Sequence, residues 1–112
     1  MNTRELLGST VCDRNGREVG KVEEIVVDRL TGRVSFAVVA AHDRDEFLPV
    51  PWGALTWEPL GNLLKLQVGA HRVADAPTID ADDFEDLERR EVGVEVFSYY
   101  GLQPPWEGAR SS

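Results

Sequence analysis

The sequence predicts a mainly β domain, a small antiparallel β-barrel of about six short strands, followed by a C-terminal helix and an extended aromatic and proline-rich tail. Three observations carry that prediction. Asn15-Gly16 and Thr31-Gly32 punctuate β-branched runs, which is the chemistry of tight hairpins. Further turn signals at Pro51-Trp52-Gly53 and Pro59-Leu60-Gly61-Asn62 keep the close spacing of antiparallel strands rather than that of parallel βα units. After Gly69 the texture changes to an acid-rich stretch ending in Arg89-Arg90, which reads as helix. The barrel is expected over residues 4–69 and the extension over residues 70–112, packed on the barrel or on a second subunit.

The first strand is placed at Val11 and Cys12, and the Asn15-Gly16 turn leads into a second from Val19 to Asp28. There Val22 and Val26 fall on one face while Val19, Ile25 and Val27 fall on the other. Either a bulge shifts the register or both faces are covered near Ile25. Beyond Thr31-Gly32, Val34, Phe36, Val38 and Ala40 alternate with Arg33, Ser35, Ala37 and Val39, the period of a strand with one well-buried face. His42 to Asp45 form a polar loop, and Glu46 to Val50 a short strand. Pro49 and Pro51 remove ladder donors and place that strand at a rim or an edge. Pro51 also suits the first position of a single helical or 3₁₀ turn, leaving Trp52 to drop onto the core. Thr56 to Glu58 and Leu63 to Val68 make a last hairpin, with Leu64, Leu66 and Val68 turned one way and Lys65 and Gln67 the other.

Ala70 to Pro77 carries no strong period. Asp80 is a candidate N-cap for a helix from about Asp82 to Arg90, with acids in its first turn and Arg89 and Arg90 in its last, the order the helix dipole favours. Its stripe, Phe84 and Leu87, is thin, so this helix must pack on something. Val92 to Tyr100 either extends the helix or runs as strand, since Gly93 and the β-branched residues pull against helix. The end, Gly101 to Trp106, is extended by its prolines.

Bulk composition narrows the function classes. With 112 residues there is room for one domain and its extensions, and 42% hydrophobic residues suffice for a core without metal or disulfide staples. The single cysteine, Cys12, forbids an intrachain disulfide and reads as a small apolar side chain rather than a reactive thiol. A net charge of −8 repels phosphate backbones and anionic membranes, so direct nucleic-acid binding is not expected. No apolar run approaches the ~20 residues of a membrane span, and the N-terminus has no signal-peptide core, so a cytoplasmic protein without membrane insertion is expected.

No catalytic or cofactor signature is present. The acids Asp80, Asp82, Asp83, Glu85, Asp86 and Glu88 offer oxygen ligands for a hard cation, but an EF-hand loop needs glycine at its sixth position, where Glu85 stands. They read as a solvated acidic face open to a basic partner. His42 and His71 lack the spacing of a zinc site, both with each other and with Cys12. No residue is assigned to catalysis or to a metal, and no cofactor is expected. The aromatic residues Trp52, Trp57, Tyr99, Tyr100 and Trp106 are the candidate partner-binding set. The Tyr99 to Trp106 segment is read as a strap over the chain's own barrel, with a dimer arm as the alternative.

Taken in order, these motifs resemble the PRC-barrel family: Leu6-Leu7-Gly8-Ser9-Thr10-Val11, then Asp13, Gly16, Gly20, Lys21 and Val22, then the Asp28 to Arg33 hairpin, then Val50-Pro51-Trp52. The likeness covers roughly Arg4 to Val68. Stand-alone bacterial members of the family look similar at an Asp-rich helix and at an end like Tyr99-Tyr100-Gly101 with Pro104-Pro105-Trp106. The resemblance implies a small barrel used as a non-enzymatic interaction or adaptor platform, here with a protein partner and self-association to a homodimer. The family includes the cytoplasmic domain of the photosynthetic reaction-centre H subunit, which makes a soluble accessory of such a complex one alternative. A small metal-binding protein built on the acids of residues 80–88 is the other.

Overall fold

A computed structural model describes residues 6–28, 32–61, 63–80 and 90–103. Six strands, β1 (Thr10–Cys12), β2 (Glu18–Val27), β3 (Val34–Ala41), β4 (Phe47–Pro51), β5 (Leu55–Glu58) and β6 (Leu63–Leu66), form one sheet in the order β4-β3-β2-β1-β6-β5. A 3₁₀ turn at Trp52–Ala54 joins β4 to β5, and among the described residues two helices follow, α1 (Ala70–Ala74) and α2 (Arg90–Tyr99). The hairpin glycines Gly16 and Gly32 take φ of 88° and 70°. Gly20 answers to space instead: a Cβ there would lie 2.1 Å from the Ala40 carbonyl oxygen, so β2 and β3 pair as closely as they do only because that atom is missing.

The sheet is curled. Six flat strands would hold their outer members about 24 Å apart, yet β4 and β5, its two edges, are joined by the short 3₁₀ turn, which bridges at most about 14 Å. The result is a half-barrel open between β4 and β5 rather than the closed barrel expected from the sequence. The chemistry of β4 explains the opening. The Phe47 N–H donates to the Ile79 carbonyl at 2.7 Å, and the Ile79 N–H donates back to Phe47 at 2.8 Å. Strand amides alternate in direction, so Pro49 and Pro51 share that outward edge with Phe47, and neither has a proton to give β5. A second departure is that the sheet is not wholly antiparallel. β1 pairs with β6 in parallel, Thr10 opposite Leu63 and Cys12 opposite Lys65.

Both alternatives for β2 hold together. Bulges fall between Val22 and Glu24 and between Val26 and Val27. The first brings Val22 and Ile25 onto the concave core with Val11, Ala37, Val39, Leu48, Val50, Leu64 and Leu66, while Val26 joins the opposite face. β3 is buried on both sides, not one. Ala37 and Val39 fill the half-barrel, whereas Phe36 and Val38 meet Val96 and Phe97 of α2, with the Phe36 and Phe97 rings 4.9 Å apart and tilted by 59°.

Helix, from Arg90 to Tyr99, is thus the state of nearly all of Val92 to Tyr100, the segment whose sequence suited either state. It ends in a Schellman motif: the Leu102 N–H donates to the Phe97 carbonyl at 2.9 Å, the Gly101 N–H to Ser98 at 3.0 Å, and Gly101 sits at φ 72°. The five-residue α1 stands where no period was visible. The helix expected from Asp82 falls, apart from Arg90, outside the described residues, as does the tail from Pro104.

Candidate interaction surface

A groove of about 490 Å³ opens where the end of α2 meets the start of β3 and the 3₁₀ turn. Its apolar wall is Trp52, Phe97, Leu102 and Val34, and Arg33 and Gln103 contribute polar groups. Local sequence builds each part. Pro51 closes β4 and starts the turn that carries Trp52, leaving its indole half-buried against the concave core. The Schellman geometry brings Leu102 back beside Phe97, the pair of positions where this motif makes its hydrophobic contact.

The candidate aromatic residues divide among different roles. Among the described ones only Trp52 lines this groove. Trp57 lies in β5, half-buried against the concave core. Tyr99 clasps α1: its hydroxyl donates to the Arg72 carbonyl, the Arg72 guanidinium donates to the Tyr99 carbonyl, and that guanidinium stands 4.3 Å from the Tyr99 ring centroid. The Tyr100 ring meets that of Tyr99 edge-on at 5.3 Å and packs against both hydrophobic clusters. Its hydroxyl is buried with no hydrogen-bond partner among the described residues. Burial, reinforced by Tyr99 and opposed by Arg72 and Arg44, pushes the Tyr100 phenol above the ordinary tyrosine range. Trp106 lies outside the described residues. Phe97 and Leu102 escaped sequence reasoning, although Gly101 flanked by Phe97 and Leu102, with Pro104 beyond, is a helix-stop signal.

Among the described residues little suits covalent chemistry. Cys12 is buried, and burial first, then Glu18 and Asp13, hold its thiol above the ordinary range, the reverse of an activated nucleophile. His42 is paired with Glu18. Among the described residues no three of His, Cys, Asp and Glu come together to hold a metal, and of the acids at positions 80–88 only Asp80 is described. No described helix is long and apolar enough to cross a membrane.

The order of strands and turns agrees with a comparison against known families, in which the PRC-barrel domain profile matches residues 1–73. This chain belongs to the PRC-barrel domain family. No curated protein matches it. In this PRC-barrel protein the matched span takes in all six strands and most of α1, whereas α2 lies beyond it. The groove is therefore a joint product: Val34 and Trp52 come from the matched span, and Phe97 and Leu102 come from the extension.

Proposed function

We propose that this PRC-barrel protein is a non-enzymatic interaction module that docks a protein partner, beginning with a second copy of itself, at the Trp52 groove. The observation that carries the reading is an apolar concavity with a half-exposed tryptophan at its wall, formed where the family domain and its C-terminal helix join. Tryptophan in a concave apolar setting is the residue type in which binding energy concentrates. The chain also presents an apolar knob that it does not bury, Leu60, fully exposed at the β5–β6 turn. A second copy supplies both groove and knob, so a two-fold dimer closes on itself. The test is light scattering at micromolar concentration on the wild type, Trp52→Ala and Leu60→Ser. A dimeric wild type, with both variants shifted toward monomer and unchanged circular dichroism, supports the reading; a monomeric wild type removes self-association.

A further inference from the structure

At the β1–β2 turn lies a second groove, of about 440 Å³, lined by Arg14, Asn15, Arg17, His71 and Arg72, with Asp13 at its base. Three guanidiniums face one carboxylate there, in a chain whose net charge is −8. That carboxylate is already committed. Asp13 is buried, and its Oδ1 accepts the backbone N–H of Asn15 at 2.8 Å and of Arg17 at 3.0 Å, which fixes the turn and aims Arg14 and Arg17 outward. Arg72 is held by its stacking on Tyr99. Of the neighbouring acids, Glu18 is hydrogen-bonded to His42 and Asp43 is paired with Arg44. Among the described residues Arg14 and Arg17 form no ion pair, and both are exposed.

We infer that this groove binds a carboxylate-rich segment of a protein partner. The available donors are side chains. A phosphate cradle uses converging backbone amides, but the turn's amides are consumed: Arg14 N–H by the Val68 carbonyl, Gly16 N–H by the Asp13 carbonyl, and those of Asn15 and Arg17 by the Asp13 side chain. What remains is guanidinium forks and the Asn15 amide spread over a turn and a short helix, which suits several spaced carboxylates taken one at a time. A long polyanion such as nucleic acid meets the repulsion of the whole chain. A short acidic segment feels chiefly the local field, because charges more than about 8 Å away are screened at physiological salt.

The probe is a capped peptide of alternating Glu and Ser, titrated into the isotopically labelled full chain and followed by amide chemical shifts. Perturbations at residues 13–17 and 69–73 that weaken steeply between about 0.15 M and about 1 M salt are expected. The same peptide with Gln for Glu should leave those amides unmoved. Arg14→Gln with Arg17→Gln should weaken binding by about tenfold. Trp52→Ala should leave it intact, which separates this site from the aromatic groove. Absence of shifts at this turn, equal binding by the Gln peptide, or undiminished binding by the double variant with an unchanged amide spectrum each overturn the inference; so does a phosphoserine peptide that binds while the Glu peptide does not.

Discussion

The groove at Trp52 and the groove at Arg17 are lined by opposite kinds of side chain, and they depend on the fold in opposite ways. The walls of the first are continuous with the core: Phe97 is only 4% exposed and its ring meets that of the fully buried Phe36 of β3 at a tilt. The second is made of exposed arginines standing on a turn that one buried carboxylate holds in shape. A surface of the first kind is bound to stability, since whatever alters its shape alters packing. A surface of the second kind can change charge with little effect on folding, provided that the carboxylate beneath it stays.

The sharpest way to break that contrast is Phe97→Ala, expected to cost about 3–5 kcal/mol in urea unfolding because it empties the space between α2 and β3. A cost below about 1 kcal/mol would show that the apolar groove is independent of the core after all. Asp13→Ala should cost about 2 kcal/mol, read from thermal or urea melts, since two amides of the turn lose their acceptor. A neutral result would mean that the charged groove needs no support from below. Tyr100→Phe removes a buried hydroxyl that has no partner among the described residues and should leave stability unchanged or raise it by up to about 1 kcal/mol. The phenol's pKa is raised in the folded state, so its contribution is complete below the unfolded value of about 10 and falls as pH rises above it. The wild type should therefore lose stability in alkali more steeply than Tyr100→Phe. Smallest of all, Arg14→Gln and Arg17→Gln should each shift stability by no more than about 0.5 kcal/mol, even while they weaken peptide binding.

What could be read from the sequence follows the range of the interactions involved. Turns and edges are local, so Gly16, Gly32, Pro49 and Pro51 revealed their roles directly. The 3₁₀ turn and the six strands followed from the same punctuation. The double burial of β3 was written as the nearly unbroken apolar run Val34–Ala41, whose alternation of larger and smaller residues resembled one buried face. Other features left no local trace. Parallel pairing of β1 with β6 joins segments far apart in the chain, and a five-residue helix is too short to show a period. The groove residues Phe97 and Leu102 are brought together by the Schellman end of α2, whose local trace at Gly101 marks a helix stop and not a surface, while the larger aromatics Tyr99 and Tyr100 serve as internal clasps.

The pairing of Thr10 with Leu63 also sets an order in time. On a chain emerging from its N-terminus, the β2–β3 hairpin can form as soon as Ala41 is free, but the outer edge of β1 has no partner until Leu66 has been made. Closing so long a loop is the entropically slow step of assembly. Amides in β2 and β3 are expected to gain protection from pulsed hydrogen exchange before those of β1 and β6. Simultaneous protection of all four strands would mean that the sheet forms in one cooperative event. In the interval before β6 arrives, β1 is a short bare edge beside a hairpin already formed, which makes this the stage of synthesis at which a stray strand from another chain competes most effectively for the place of β6.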